Sequence, residues 1–500
     1  MPKIMFPLRL HRRPLPALLA IAGMLLTLSL TDRHLLAAGT NQPAPATPEP
    51  STEWIDPDTG HRVIRLSQEP GTASLYFHQY AYTAGGKKLV VTTRDRGIAT
   101  INLETRAVER LVAGPVNVLV AGRKTGDVYY TKRTSREVTR ADGTRETVIE
   151  AVVYAAEVAT GRTREIAKLP SGRFVASLNA DETLLLGSYV EGANQSAWGG
   201  GRREPRPDGR LPDTDLRFQQ PNYEALGPDG NPLVYAEAKE RRLHEALAGI
   251  RAGPPHVIFT LNLRTGELKD VYQEREWLNH LQFSPTDPGL IMFFHEGPWH
   301  EVDRIWTIRA DGTSLTKIHT RTMAMEIAGH EFFSADGNTI WYDLQTPRGE
   351  DFWVAGPEIA TGRRTWYHLQ RDEWSVHFNV SPDGKLFAGD GGDSEMVAHA
   401  KNAKWIYLFR PEQTPDLAGI SSPNPTSMIE PGILRAERLV NMSQHDYRLE
   451  PNVTFSPDMK WIIFRSNMHG AVQVYAVEIA KAKSHPPAAR EAFGRGEPPS

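Results

Sequence analysis

One pattern recurs from Trp54 to Lys481 and constrains the fold more than any other feature of the sequence. An apolar strand ends in a turn of the Ser-Pro-Asp-Gly kind and a second apolar strand follows, as in QFSPTDPGLIMFF, FFSADGNTIWYD, NVSPDGKLFAGD and TFSPDMKWIIFRS. After a gap, a further apolar strand leads to another turn, as in IFTLNLRTGELKDV. Seven such units, most of them roughly 40–55 residues apart, are typical of four-stranded propeller blades. The sequence therefore predicts an all-β protein, a seven-bladed β-propeller over residues 54–481.

The repeat is interrupted between Gly192 and Pro254. This stretch opens with the polar, Gly/Arg-rich GANQSAWGGGRREPRPDGRLPDTD and then becomes helical in AEAKERRLHEALAGI. Its apolar positions lie on one helix face, and RAGPP ends the pattern; they are Leu243, Ala246, Leu247 and Ile250. We predict a loop and helix insertion, at about 192–254, over one face of the propeller. Its arginines form either a solvated loop or a mouth for an anionic ligand; they are Arg202, Arg203, Arg206 and Arg210.

The two ends of the chain differ from the repeat region in composition. A basic start precedes the apolar run LPALLAIAGMLLTLSL, and small residues follow near Ala38. Residues 1–38 therefore predict an export signal, and hence a periplasmic or secreted protein with no membrane span after cleavage. An uncleaved N-terminal anchor is the alternative. Residues 39–53 read as a disordered Pro-rich linker, and 482–500 as a disordered tail.

Composition excludes several kinds of function. The chain has no cysteine, so it has no disulfide, thiolate metal site, cysteine nucleophile or lipoprotein anchor. Its formal net charge of −3 provides no global basic field to bind nucleic acid. No H-E-x-x-H, G-x-S-x-G or P-loop motif is present. Any acidic ligand must therefore be bound by a local group of cations.

Three histidines share one position in the repeat. His280, His330 and His377 each stand four residues before the serine of their turn. Asn452 stands four residues before Ser456, and Gln79 four before Thr83, so both have the same offset. The first strand of each blade lines the central channel, so we expect these side chains to form part of a ring. They either bond one another, water and strand ends, or form a site, since converging imidazoles can bind a metal or move protons.

Two further polar clusters lie close to these repeats in sequence. FFHEGPWHEVDRIW contains His295 and Arg304, and QHDYRLEPNVTFS contains His445, Glu450 and Asn452. His295 is either an imidazole oriented by a carboxylate or part of a simple turn. Arg304 precedes a predicted strand and can point into the top of the channel.

The order of these motifs resembles that of the oligogalacturonate lyases, a family of seven-bladed propellers of pectin breakdown. The resemblance rests on WLNH…SP, HEGP…DRIW, GHEFF…DG, VHFNVSPDGKLFAGDG and EPNVTFSPD, and it spans about 54–481 without the insertion. It implies β-elimination on short polygalacturonate chains by a histidine base, an arginine and a manganese-type metal. Carried over by motif, His330 in GHEFF is the base and Arg304 in DRIW is the arginine. His377 is one metal ligand.

The remaining metal ligands of the family do not carry over. Where the family has Gln-x-x-His-Pro-His, this chain has YRLEPN, with Tyr447, Glu450 and Asn452. Oxygen donors suit a hard divalent ion such as Mn²⁺, Mg²⁺ or Ca²⁺. We therefore expect an altered divalent-metal site, with Mn²⁺ as the first candidate, on His377, Glu450, Asn452 and His445. Alternatively, the metal is lost or the substrate is different.

These inferences predict an exported lyase for short uronic-acid oligosaccharides derived from pectin. His330 would act as the base, Arg304 and a divalent metal would neutralise the substrate carboxylate, and the substrate-binding residues would be His280, His295 and Gln79. One alternative is a non-catalytic periplasmic propeller, similar to TolB-like proteins, that binds a sugar or a protein partner. Another is a lyase for a different acidic glycan, such as ulvan or rhamnogalacturonan fragments.

Overall fold

The structure, a computed structural model, describes residues 52–139, 143–192, 226–415 and 427–482. Within these ranges the chain forms seven four-stranded antiparallel units, so the predicted seven-bladed β-propeller is confirmed. The predicted signal, almost all of the predicted linker, the four insertion arginines and nearly all of the predicted tail lie outside the described residues. Glu53, placed at the end of the predicted linker, is the first residue of a strand.

The strands are numbered in chain order, and each blade begins with its innermost strand. The chain opens with β1 (Glu53–Ile55) and β2 (His61–Arg65). Blade 1 contains β3 (Ala73–Ser74), β4 (Lys88–Thr92), β5 (Ile98–Asn102) and β6 (Val108–Val112). Blade 2 contains β7 (Asn117–Ala121), β8 (Asp127–Thr139), β9 (Arg145–Glu157) and β10 (Thr163–Leu169). Blade 3 contains β11 (Phe174–Leu178), β12 (Leu184–Val190), β13 (His256–Asn262) and β14 (Leu268–Glu274).

The second half of the propeller follows the same order. Blade 4 contains β15 (Trp277–Phe283), β16 (Leu290–Glu296), β17 (Ile305–Arg309) and β18 (Thr316–Lys317). Blade 5 contains β19 (Ile327–Phe333), β20 (Ile340–Thr346), β21 (Asp351–Pro357) and β22 (Arg364–Leu369). Blade 6 contains β23 (Phe378–Val380), β24 (Phe387–Gly389), β25 (Trp405–Gln413) and β26 (Ile429–Asn441). Blade 7 contains β27 (Thr454–Phe455), β28 (Trp461–Ser466), β29 (Gln473–Lys481) and the N-terminal β2.

The seventh blade joins the two ends of the described chain. Strand β2 pairs antiparallel with β29, with Val63 opposite Val477, and β1 pairs with the outer edge of β2. The ring is therefore closed by main-chain hydrogen bonds between residues more than 400 positions apart. Blades 5 and 6 are also joined, because their outer strands β22 and β26 pair in parallel.

The repeated turns have a common hydrogen-bond pattern that explains the repeated sequence. In blade 6 the Ser381 hydroxyl donates to Asp383 Oδ1 at 2.7 Å and accepts from the Leu386 backbone N–H at 3.0 Å. The corresponding serines of blades 5 and 7 do the same, namely Ser334 and Ser456. A short side chain that satisfies the turn backbone is the reason for Ser-x-Asp at this position.

The insertion contains the described helix α1, Tyr235–Ala252. A short 3-10 helix, Arg371–Glu373, lies between blades 5 and 6. Leu243 and Leu247 of the predicted apolar face are buried, whereas Ala246 and Ile250 are half-buried. Gly253 ends the helix, and two prolines follow it, as the sequence predicts. No helix in the described residues has both the length and the apolar character needed to cross a membrane.

Candidate active site

Histidines from three blades meet near the propeller axis. His280 lies on β15, His330 on β19, and His377 directly before β23. The rings of His330 and His377 are 4.9 Å apart between centroids. The Tyr76 ring bridges the group, at 5.1 Å from His377 and 6.1 Å from His280. The shared offset in the sequence thus corresponds to one level of the central channel.

An unusual backbone conformation orients the side chains of three of the five residues that stand four positions before the Ser or Thr of their turn. His280, His330 and Asn452 have φ angles of +48°, +49° and +56°. Around the two histidines the strand register shifts, between Asn279 and Gln282 in blade 4 and between Gly329 and Phe332 in blade 5. Left-handed φ is unusual for a residue with a side chain, and a β-bulge is a typical place for it because it redirects that side chain. At these three residues, the shared offset in the sequence therefore corresponds to the same backbone conformation.

Two of the histidines have a carboxylate partner at the same spacing. His330 Nδ1 lies 2.9 Å from Asp343 Oδ1, and His377 Nδ1 lies 2.9 Å from Asp390 Oδ2. Each aspartate stands 13 residues after its histidine; Asp343 lies on β20, and Asp390 directly follows β24. A carboxylate at Nδ1 favours the tautomer with the proton on that nitrogen, so Nε2 carries the lone pair.

His280 is the third histidine and has different surroundings. Its ring stacks on Phe294 at 4.7 Å, with an angle of 17° between the planes. Its Nε2 lies 3.6 Å from Glu296 Oε2. Burial lowers the pKa of His280 well below its ordinary value, against the opposing effect of Glu296, so the ring is neutral at neutral pH.

Arg304 lies between two buried carboxylates. Its Nε donates to Glu331 Oε1 at 2.8 Å and its Nη1 to Glu296 Oε1 at 3.1 Å. Burial opposes the charge of the guanidinium, but the two carboxylates outweigh it and raise the pKa of Arg304. Burial also opposes ionisation of Glu296, yet Arg304, with His280 and Lys239, lowers the pKa of Glu296 to about 2. Arg304 and Glu296 therefore form a permanent ion pair.

Glu331 also pairs with Arg304, but its pKa is raised, whereas the pKa of Glu296 is lowered. The residue is fully buried, and burial raises its pKa to about 7 against the attraction of Arg304. Asp343 and Glu296 raise it further by repulsion. The charge of this carboxyl therefore changes near neutral pH, which alters the net charge around Arg304.

Several of these groups line a cavity of about 390 Å³ at the end of the channel near the starts of the innermost strands. Its cationic residues are Lys239, Arg304, Arg448 and Arg465, and its carboxylates are Glu296, Asp343 and Glu450. Its aromatic residues are Tyr76, Tyr235, Trp299, Trp374 and Tyr447. Both His280 and His330 line it. Cations together with flat aromatic surfaces suit an acidic sugar.

Helix α1 of the insertion forms one wall of this cavity. It contributes Tyr235, Ala236 and Lys239. The helix is anchored by Glu240, a buried residue whose carboxylate contacts His300 of blade 4 and, at 2.8 Å, Arg348 of blade 5. The predicted placement of the insertion over one face of the propeller thus has a structural counterpart in α1.

The residues predicted as metal ligands are only partly brought together. His377 Nε2 lies 3.8 Å from Glu450 Oε2 and 3.2 Å from the Tyr76 hydroxyl. Asn452 uses both side-chain atoms on backbone groups, since Oδ1 accepts from Phe77 N and Nδ2 donates to Glu450 O.

His445, the fourth predicted ligand, lies away from this pair and does not line the cavity. Its two ring nitrogens are bonded to Ser466 Oγ at 2.8 Å and to Leu449 O at 2.6 Å, and it is buried. In the part of the chain that the structure describes, no group of three His, Asp or Glu side chains has the geometry to hold a metal ion.

Two residues predicted to bind substrate also lie elsewhere. Gln79 accepts from Tyr76 N and donates to Leu119 O, and it lines a separate cavity at the turn end of the innermost strands. His295 is buried, with Nε2 at 3.0 Å from Glu274 Oε2 and its ring against Trp306. Of the three predicted substrate-binding residues, His280 alone lines the candidate cavity.

The sequence interpretation missed several residues of the site. Asp343 had a detectable signal, because H-x-x-x-S-x-D-G-x-x-x-x-x-D occurs twice, from His330 and from His377. Arg465 stands at the same +13 spacing after Asn452 and lines the cavity. Lys239 and Tyr76 had no such signal, since only the tertiary structure brings α1 and the start of blade 1 to this place.

Comparison with known proteins agrees with the motif pattern. Residues 250–483 match the family model described as oligogalacturonate lyase. The resemblance to oligogalacturonate lyases is confirmed. The oligogalacturonide lyase of Pectobacterium atrosepticum is 27% identical over 229 residues, which is 44% of this chain and 55% of that protein. The oligogalacturonate lyase of Dickeya dadantii is 25% identical with the same coverage. The chain thus matches about half the length of these curated relatives.

Solved oligogalacturonate lyases have the same fold. One, in complex with manganese, aligns with a TM-score of 0.60 and 22% identity, covering 86% of this chain and 96% of the other. An oligogalacturonate lyase from Vibrio parahaemolyticus aligns with a TM-score of 0.57 and 20% identity over the same shares. The His330–Asp343 pair and Arg304 lie inside the segment that matches the oligogalacturonate lyase family model, whereas Lys239 of α1 precedes it.

Proposed function

We propose that this protein cleaves short uronic-acid oligosaccharides, derived from pectin, by β-elimination. The observation that carries the proposal is the His330–Asp343 pair beside the buried Arg304 cluster, in one cavity lined by cations and aromatic rings. The resemblance to oligogalacturonate lyases supports the same reaction.

His330 is the proposed base. The proton at C5 of a uronate is acidic because it lies α to the carboxylate, and its removal moves charge onto that carboxylate. With Nδ1–H donated to Asp343, the Nε2 lone pair of His330 can accept this proton. Departure of the O4 alkoxide then leaves a 4,5-unsaturated sugar at the new end.

Arg304 is the proposed partner of the reacting carboxylate. The guanidinium hydrogen bonds described for this residue use Nε and Nη1, so Nη2 is available to a ligand. A fixed cation at the carboxylate stabilises the enolate-like intermediate more than the substrate, which lowers the barrier. Glu296 and Glu331 hold the guanidinium in place before the substrate arrives.

The donor set does not by itself make a site for a manganese-type ion. His377 and Glu450 supply two donors, whereas Asn452 and His445 are bonded to other groups. Mn²⁺-type ions need about six ligands, most of them oxygen. We therefore assign no step to a metal, and chelation tests the divalent metal that the resemblance implies.

We also propose that the protein lies in the periplasm or outside the cell, because its N-terminal basic and apolar segments resemble an export signal. Its substrate there would be a short acidic oligosaccharide, in keeping with a cavity of about 390 Å³. Pectin-derived oligogalacturonides are the first candidate because of the resemblance, and fragments of ulvan or rhamnogalacturonan are the other glycans to compare.

The test is the ultraviolet absorbance of the unsaturated product from di- and trigalacturonate. We expect turnover by the wild type, a loss of about 10²- to 10⁴-fold in His330→Ala, and near wild-type rates in His368→Ala, which changes a histidine away from the cavity. Incubation with a chelator should leave the rate within about threefold, since Arg304 supplies the charge.

Other results would redirect the proposal. A rate that is lost on chelation and restored by Mn²⁺ would establish the metal expected from the resemblance. Turnover of a different uronate alone would change the substrate. No product from any uronate would favour the non-catalytic, TolB-like propeller that binds a sugar or protein partner.

A further inference from the structure

Lys239 is a cation of the cavity that the proposed mechanism does not use. It lies on α1, is half-buried and lines the cavity, with Nζ at 5.5 Å from the centroid of the Trp299 ring. Its charge lowers the pKa of both Glu296 and Glu450. Its field therefore reaches the carboxylates beside Arg304 and beside His377.

The other three cations of the cavity have specific oxygen partners. Arg304 binds Glu331 and Glu296, Arg448 binds Asp446, and Arg465 Nε donates to Glu450 O at 2.8 Å. In contrast, no described carboxylate lies within 4.0 Å of Lys239 Nζ. A half-buried ammonium next to an aromatic ring is stabilised by an anion, and the cavity provides none at that distance.

The position of Lys239 is set by the packing of α1. Glu240, the next residue, is buried between His300 and Arg348. Leu247 packs so closely on Gly297 that a Cβ there would lie 2.9 Å from Leu247 Cδ2. The Ala236 N–H donates to Glu395 O at 3.3 Å. Contacts with loops of blades 4, 5 and 6 thus hold the ammonium at the cavity, which a solvated surface lysine would not need.

Most of helix α1 lies outside the segment that matches the family model. The segment that matches the oligogalacturonate lyase model begins at residue 250, whereas Lys239 and Tyr235 stand before it. The matched segment contributes His330 and Arg304 to the cavity, and the insertion contributes Lys239 and Tyr235.

We propose that Lys239 binds a second carboxylate of the substrate, on the sugar next to the one whose carboxylate contacts Arg304. This inference rests on the proposed function. Neighbouring uronates each carry one carboxylate, and an ammonium without its own anion matches the second. Lys239 is thus a specificity-determining residue that selects oligomers with consecutive acidic sugars over those with a neutral neighbour.

The test compares Lys239→Gln with Lys239→Arg, and with Arg241→Gln, which removes the same charge from an exposed position of α1 outside the cavity. Calorimetry with digalacturonate in the His330→Ala background measures binding without turnover. We expect Kd to rise about 10- to 100-fold in Lys239→Gln, as for one charge-assisted contact, and to stay within about threefold in the other two. In the active background KM should rise while kcat stays within about threefold.

Other outcomes distinguish the role of Lys239 from the proposed function. Turnover with unchanged Kd and KM in Lys239→Gln would refute the role of Lys239 and leave the proposed function standing. A fall in kcat alone would place Lys239 at the reacting carboxylate instead. Binding of digalacturonate that depends on Lys239, without turnover by the wild type, would support the carboxylate site and refute the lyase. No binding of any uronate would refute both.

Discussion

At the scale of single residues, the His330–Asp343 pair sets the orientation of an imidazole in the site. His330 takes a left-handed φ of +49°, which strand geometry alone does not favour. The residue keeps this conformation inside a bulge, where its Nδ1 reaches Asp343 at 2.9 Å. Backbone and carboxylate together therefore hold the imidazole with Nε2 available.

The first prediction tests this pair. Asp343→Asn keeps the size of the side chain but can offer an N–H to Nδ1, which favours the tautomer with the proton on Nε2 and removes the base. We expect kcat to fall on the order of a hundredfold or more, with little change in substrate Kd. The control is Asp351→Asn, at an exposed position of β21. A wild-type kcat in Asp343→Asn would show that this carboxylate does not set the tautomer of His330.

Glu331 leads to a prediction about stability and pH. Its pKa in the folded protein is about 7, raised from an ordinary value of 4.5. Unfolding therefore releases a proton between these values. The stability that this group contributes is fully present below about pH 4.5 and is lost as pH rises through 7.

Melting temperatures from pH 5 to 8 measure this effect. Relative to Glu331→Gln, which cannot ionise, the wild type should lose stability as the pH rises. Glu245→Gln, at an exposed position of α1, should follow the wild type. Parallel curves for the wild type and Glu331→Gln would mean that Glu331 is not protonated in the folded protein near neutral pH.

At the scale of elements, α1 is the part of the insertion that forms one wall of the cavity. Its sequence accounts for its formation, since Ala, Leu, Glu, Lys and Arg dominate Tyr235–Ala252 and Gly253 follows. Its place over blades 4 to 6 depends on Leu247, on Glu240 and on the absence of a side chain at Gly297.

Leu247→Ala tests the docking of α1. Removing this buried side chain should cost about 2–5 kcal/mol at that contact and loosen the helix. We expect faster hydrogen exchange in residues 235–252 and a higher KM for digalacturonate, because Lys239 moves with the helix. Glu245→Ala is the exposed control on the same helix. Unchanged exchange and KM would show that the remaining contacts of α1 fix the cavity wall without Leu247.

At the scale of the whole molecule, the site exists because the ring brings distant blades to one axis. Tyr76 comes from the start of blade 1, and its hydroxyl lies 3.2 Å from His377 Nε2 of blade 6, 301 residues further along the chain. The pairing of β2 with β29 closes the ring between blades 7 and 1. Any change that opens this closure should therefore disturb the site as well as the fold.

Much of the architecture was predictable because it follows from local chemistry. The Ser-x-Asp turns satisfy their own backbone groups within five residues, as Ser381 does with Asp383 and Leu386, so their spacing is visible in the sequence. The histidine offset belongs to the same local unit. For this reason the sequence alone predicts the seven blades and the convergence of His280, His330 and His377.

The tertiary structure alone decided which polar residues of the predicted set line one cavity. Gln79 and Asn452 share the histidine offset, yet both bond backbone groups, because a polar side chain removed from water is stabilised by the hydrogen-bond partners that the fold places beside it. The pKa of Glu331 and the placement of Lys239 depend on burial and on contacts between blades, which no spacing in the sequence records. The sequence by itself thus determined the repeat and the level of the channel, since these depend on neighbours along the chain. The chemistry of the cavity depends on neighbours in space.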